Sequence, residues 1–498
     1  MRKIGATLVL ACAALLGLST ACIEVHVRPV QPAETRIRSR ALFVDEQGRA
    51  HDIAVGQKST AMDADGYQKY LRAMMDSIRI SGRTDLLIRI HGGRTDVDGA
   101  LDASLWQYDS IMHDTVTAYY PLFVNWESRD LKSYGEHLVY VRQGQRYKRF
   151  ITGPLLAPVY LVADLGSGIA RFPIAAGYQV KQFWWPATDA HVREKEKTLK
   201  VLQQTLSSKS ALDRRRGGVI TIDTGSYFKP LGERVVDDVK SVVFLPFKTG
   251  ATYFIESAGP EDFANMRRRT ATMFRNPSEF KVEARKPAYT PPSGAMSFFL
   301  DALDSLVRSD TANGKRYEIT LIAHSMGAIV ASEMVRTHPN LPFRNIVFMA
   351  AASTVRELEV GVLPYLSEHQ ETQFYDLTLH RLAEVKQQEI LDLVPRGSLL
   401  SWLDGYLTNP ETDMDRVIGR YDNAVLATHI FPDTVRGQIH IKAFGYRDPR
   451  FNYGPDLKPA RHGEFLDRGV PFWRCEFWVG PKTPCTNGRA SRSIPAGR

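Results

Sequence analysis

Six apolar runs, separated by turns and stretches of helical periodicity, set the narrowest limit on what this chain can fold into. They are "LLIRIHGG" from Leu86, "YYPLFVNWES" from Tyr119, "EITLIA" from Glu318, "FRNIVFMAAA" from Phe343, "TQFYDLTLH" from Thr372 and "QIHIKAFGY" from Gln438. Runs this short and this continuously apolar suit strands buried on both faces. Helical patterns fall between them: Asp98 to His113, Ala295 to Val307 with Phe298, Phe299, Leu303 and Leu306 on one side, the residues after Ser325, and "VRELEVGVLPYLSEH" from Val355. Strands alternating with helices predict a mostly parallel sheet with helices on both faces, an α/β protein.

Two stretches break the alternation. Residues near 35–80 predict a short strand pair in "TRIRSRALFVD" and an amphipathic helix from Tyr67 to Ile80, an N-terminal edge for the sheet. Residues 130–259 form a long, cap-like insertion after the strand near residue 125. Its apolar segment "FITGPLLAPVYLVADLGSGIARFP" is interrupted by Pro154, Pro158, Asp164 and Arg171, which argues against a membrane span. The core is therefore expected in two parts, 36–129 and 260–475, with a tail over 476–498.

The N-terminus predicts export. "MRKIGATLVLACAALLGLSTAC" has a basic start, an apolar run from Ile4 to Leu18 and then small residues, as a signal peptide over 1–21 requires. Leu18 to Cys22 resembles a bacterial lipobox, with the leucine one place further back than usual. The resemblance implies lipid on the Cys22 thiol, a tether over 22–35, and a membrane-anchored protein of the cell envelope. Ile23 in second position implies the outer membrane; Ser-Thr-Ala also suits ordinary signal peptidase. Of the four cysteines, Cys12 and Cys22 belong to this leader. Cys475 and Cys485 remain, and an oxidising compartment predicts a disulfide between them.

Composition excludes several classes. The chain has 498 residues, 44% hydrophobic and 24% charged, with a formal net charge of +9. The basic clusters Arg214–Arg216 and Arg267–Arg269 sit in no nucleic-acid motif, so they read as solvated surface and no nucleic-acid partner is expected. No H-e-x-x-H-type or paired C-x-x-C spacing offers a metal site, no G-x-x-x-x-G-K run cradles phosphates, and the "GSG" at 166–168 lacks a third glycine. No metal or cofactor is expected.

The stretch "ITLIAHSMGAIVASEM", Ile319 to Met334, carries the chemistry. A strand ends at His324-Ser325-Met326-Gly327 and a helix follows. A serine nucleophile on such a turn needs small residues two places before and after it, here Ala323 and Gly327. The new helix also aims its first N–H groups at the reacting centre. With "IHGG" after an earlier strand, the chain resembles the α/β-hydrolase superfamily outside the leader and insertion. That resemblance implies an oxyanion hole from the N–H of Gly92 or Gly93 with that of Met326, and His91 as a support of the loop. It also implies the order Ser, acid, His. Of the late histidines, His440 alternates within a strand and His429 precedes it, so His462 in "PARHGEFLD" is the base. The acid should follow "TQFYDLTLH": Asp392, ahead of Val394-Pro395, is the first candidate and Glu384 the alternative, with Asp376 and Asp404 read as structural. The implied function is cleavage of a carboxylic ester, small or lipid-like, without cofactor. The alternative is an envelope binding or assembly lipoprotein that keeps the fold without turnover. The sequence sets no oligomeric state.

Overall fold

The computed structural model of the chain describes residues 32–53, 60–139, 141–142, 145–146, 152–183, 220–223, 243–275, 294–387, 394–445 and 459–479, with single positions between 232 and 240. Eight strands form the central sheet. They are β1 (Ala41–Val44), β2 (Asp85–Ile90), β3 (Tyr120–Trp126), β4 (Thr221–Asp223), β5 (Glu318–His324), β6 (Phe343–Met349), β7 (Gln373–Leu379) and β8 (Ile439–Phe444). Their spatial order is β1-β3-β2-β5-β6-β7-β8-β4, and every adjacent pair is parallel. Successive strand side chains point to opposite faces. Nearly every residue of β2, β3, β5 and β7 is buried, so both faces of the sheet are covered. The α/β class read from the alternation holds.

The helices that matter for the site are α1 (Ala64–Ser81), α2 (Val97–Met112), α3 (Asp130–Val139), α4 (Thr152–Phe183), α5 (Leu245–Thr272), α6 (Ala295–Ala312), α7 (Gly327–Thr337) and α8 (Val355–Glu368). Local chemistry sets their ends. Asp63 and Asp96 cap α1 and α2 by accepting from Gly66 and Gly99 N–H. Thr354 and Glu357 close a capping box on α8. In α6, Phe299, Leu303 and Leu306 are buried as expected, whereas Phe298 is exposed and meets Tyr67 edge-on.

Four expectations need correction. The strand pair in "TRIRSRALFVD" is instead a 3-10 helix over Pro32–Arg40 followed by β1 alone. Ile37 and Ala41, four apart, are both fully buried, and Arg36 and Arg38 turn out to Asp109 and Asp52. The apolar segment of the insertion is not broken by its prolines: α4 runs through Pro158 and Pro173. No helix among the described residues is long and apolar enough to cross a membrane. The boundary at 259 falls inside α5, and β4, from within the insertion, pairs with β8 through Thr221–His440 to Asp223–Lys442. The insertion is thus continuous with the core. The tail does not begin cleanly at 476 either. Phe477 and Trp478 are buried, and the Lys442 ammonium on β8 donates to the Phe477 and Val479 carbonyls.

Helix α5 ties the insertion to the sheet. Arg269, 1% exposed, bonds the Glu127 carbonyl just after β3 and pairs with Glu136 on α3, while Asn265 donates to Ser133 O at 2.8 Å. Arg267 pairs with Glu357 and Arg268 with Glu136. This basic cluster is therefore internal ion pairing rather than open surface; Arg214–Arg216 lie outside the described residues.

Candidate active site

Ser325 sits where β5 ends and α7 begins, with φ +51°, in the left-handed region that a side chain other than glycine's rarely adopts. The turn is held from several sides. Ser325 N–H donates to Met349 O at 2.9 Å, and Ser325 O accepts from Ala352 N–H at 2.9 Å and Ala328 N–H at 3.1 Å. Such over-determination is what keeps a strained residue in place.

The requirement for small neighbours has a direct cause. A Cβ on Gly327 would lie 2.6 Å from His91 O and 2.9 Å from Ile90 O, so the first turn of α7 packs on the backbone at the end of β2. Ala323 is fully buried between Ile90 and Phe348 in the register. A Cβ on Gly92 would lie 2.9 Å from Ser325 Cβ, and one on Gly93 would lie 2.7 Å from Met326 Sδ. The two glycines and Met326 are thus brought against the serine turn.

His462 opens a short 3-10 turn, His462–Leu466, and its Nε2 lies 3.0 Å from Ser325 Oγ. Its backbone is fixed on both sides: N–H donates to Gln387 Oε1 at 2.9 Å, and its carbonyl receives the His324 Nε2 proton at 3.0 Å. Burial holds the His462 imidazole well below its ordinary pKa, with His324 and Arg94 adding to the effect. A neutral imidazole at neutral pH is the form that accepts the serine proton.

For Nε2 to accept, Nδ1 must carry the proton, and Nδ1 is buried with no hydrogen-bond partner among the described residues. Asp392 lies outside the described residues. Glu384 is buried, but its Oε1 accepts from Ser398 and Ser401 hydroxyls and faces Arg420 at 3.8 Å; no hydrogen bond joins it to His462. Burial raises its pKa despite those partners. Asp404 is committed to Arg420, Asn423 and Val417 N–H. Asp376 sits mid-strand on β7, 1% exposed, with neither oxygen partnered, and burial pushes its pKa well up.

His91 is occupied elsewhere. Its Nε2 accepts from Trp126 N–H at 2.8 Å, its carbonyl accepts from the Trp126 indole, and its ring stacks on Trp126 at 5.7 Å. Burial lowers its pKa to about 3. It braces the Gly92-Gly93 loop and stays neutral. His440 lies on β8, bonded to Gln373 and stacked on Tyr375. His429 follows Tyr421–Ala427 in a turn.

Ser325 and His462 open into a cavity of about 520 Å³ that Gly92, Gly93, His324 and Gln387 also line. Three contributors escaped the sequence reading. Gln387 positions His462 across 75 residues, and no local pattern marks it. His324 was visible beside the serine but had no assigned role. Arg89 was an arginine within an apolar strand, a signal available in "LLIRIHGG".

Among the described residues, His137, Asp164 and Glu261 could hold a metal ion. His137 Nε2 already meets Asp164 at 3.1 Å and Nδ1 meets Glu261 at 3.2 Å, so both ring nitrogens are engaged by carboxylates. Cys475 is disulfide-bonded, while Cys22 and Cys485 lie outside the described residues. No protein-family model, curated protein or solved structure matches the chain.

Proposed function

We propose that the protein is an exported serine hydrolase of the α/β-hydrolase type that cleaves a carboxylic ester. The observation that carries this reading is the 3.0 Å contact between Ser325 Oγ and His462 Nε2, made by a positive-φ serine at a strand-to-helix turn. The parallel sheet and the chain order of Ser325 and His462 support the family resemblance. In the proposed reaction His462 takes the Ser325 proton as Oγ attacks the substrate carbonyl. The N–H groups of Met326 and of Gly92 or Gly93 stabilise the oxyanion. His462 then protonates the leaving alcohol and, in the second half, draws a proton from the water that clears the acyl-enzyme.

Asp392 remains the proposed acid, the carboxylate that would accept a hydrogen bond from the His462 Nδ1–H. Lipid on Cys22 would tether the enzyme to the envelope membrane, and Cys22→Ala should release it into the soluble fraction. The apolar residues that α4 and α5 expose, among them Val162, Ile169, Phe247 and Phe254, suit a lipid-like substrate or a membrane surface.

The unpartnered Nδ1 of His462 favours a second reading, a binding or assembly lipoprotein on the same fold without turnover. One experiment separates the two. A fluorophosphonate probe should label the wild-type chain and leave Ser325→Ala unlabelled. Folded wild type that resists the probe would count for the second reading.

A further inference from the structure

The cavity beside Ser325 holds polar groups that the proposed hydrolysis does not use. Arg89 lies near the end of β2, two residues before His91, and both residues line the cavity. Arg89 is 2% exposed and lines the cavity, yet its Nε and Nη1 have no hydrogen-bond partner and no ion pair involves it among the described residues. Gln107, fully buried on α2, lines the same cavity, and neither its amide nitrogen nor its oxygen has a partner. Ala100 and Ala103, also on α2, keep that side of the cavity open.

An unpaired buried guanidinium is among the most costly groups a fold can retain, and a buried unpaired amide adds to the cost. Burial lowers the Arg89 pKa only to about 9, so the cation persists at neutral pH. Arg94 lines the cavity as well, and no Asp or Glu among the described residues does. A buried guanidinium on the wall of a concave site focuses positive potential on whatever enters. The planar guanidinium offers paired N–H donors matched to carboxylate or phosphate oxygens. Leu399, Trp402 and Leu466 line the same cavity and would take the apolar remainder of such a ligand.

We propose that Arg89 and Gln107 form a recognition site for an anionic oxygen group of the substrate, a carboxylate or a phosphate, so that the enzyme prefers esters bearing such a group. This specificity rests on the reading of Ser325 as nucleophile. It assigns Arg89 the charge-assisted contacts and Gln107 the amide N–H that completes them.

The test compares the full chain on three p-nitrophenyl esters of matched length: a neutral acyl ester, one ending in a carboxylate and one ending in a phosphate. At least one anionic ester should exceed the neutral one in kcat/KM by about tenfold or more. Arg89→Met should lower that ratio by about 30-fold, as the loss of hydrogen bonds to a charged group predicts. Gln107→Leu, which leaves the cation in place, should lower it by about fivefold and carries the test if Arg89→Met fails to fold. An active, probe-labelled enzyme with no preference for either anion overturns this proposal and leaves the hydrolase reading intact. Calorimetric titration of Ser325→Ala with succinate and, separately, with inorganic phosphate decides the matter without turnover. Binding that Arg89→Met abolishes supports the site and tells which anion it takes; the absence of heat with both anions overturns it, whatever the outcome of the labelling.

Discussion

At Ser325 the turn is pinned by three backbone hydrogen bonds, and its neighbours Gly92 and Gly327 leave no room for a Cβ. From β7 onward in the chain, four carboxylates were candidates for one role. Glu384 and Asp404 answer to Arg420 and nearby hydroxyls or amides, and Asp376 has no hydrogen-bond partner among the described residues. The proposed nucleophile is specified by backbone geometry, which few residues can satisfy. The acid is specified only by which carboxylate reaches one ring nitrogen, a condition that many sequences meet. That difference explains why one half of the site can be identified from local chemistry and the other cannot.

The sharpest way to break the comparison is to remove the pinned half. Ser325→Ala should lower kcat/KM for a cleavable ester by roughly 10⁴-fold or more, and His462→Gln by a similar amount rather than a further one, since the pair acts as a unit. Additive losses in the double variant would show that the two do not act together. Next comes the unpinned half: Asp392→Asn should cost about 10²- to 10⁴-fold by leaving His462 in the wrong tautomer. Glu384→Gln should alter the melting temperature more than the rate. The reverse result would move the acid to Glu384.

Gly327→Ala tests the packing beneath the serine. Its new methyl group meets the His91 carbonyl, so either the turn or the loop must shift, and displacement of about 1 Å should slow fluorophosphonate labelling by around 10²-fold. The pH profile tests the base. His462 must be neutral to accept a proton, and its pKa is depressed, so activity should persist as pH falls through 6.5 and be lost only further down. An acidic limb centred at or above 6.5 would contradict the burial of that ring.

The smallest expected effect belongs to Asp376. Its folded pKa is raised, so ionisation costs stability above the ordinary carboxylate value of 3.8, and that cost disappears as pH falls below it. Asp376→Val should therefore raise the midpoint of thermal unfolding at pH 7 to 8, by the equivalent of about 1–3 kcal/mol, and the gain should shrink toward pH 4. A destabilised variant would mean that Asp376 has a partner that matters.

The central strands were legible in the sequence because burial on both faces forces continuous apolar runs; β3, β6, β7 and β8 fall within the runs that predicted them, and β2 and β5 each extend one residue beyond theirs. The strand β4 was not, because three residues at a sheet margin need satisfy only one neighbour. The 3-10 helix at Pro32–Arg40 was misread because alternating arginines imitate a strand while Ile37 follows a helical spacing. In the candidate site, Ser325 and Gly327 were readable because a tight strand-to-helix turn packed on the end of β2 restricts residue type. Gln387 was not, because its role depends on a contact with His462 that the chain reaches only after a long excursion.

The pairing of β4 with β8 has a practical meaning for anyone who wishes to trim the insertion. Excising residues 130–259 would strip β8 of its outer neighbour and expose unpaired N–H and C=O groups along His440–Lys442. Such an open margin templates pairing with a second chain, so a minimal core made this way should self-associate. A shortened form that retains Thr221–Asp223 on a linker is the safer design.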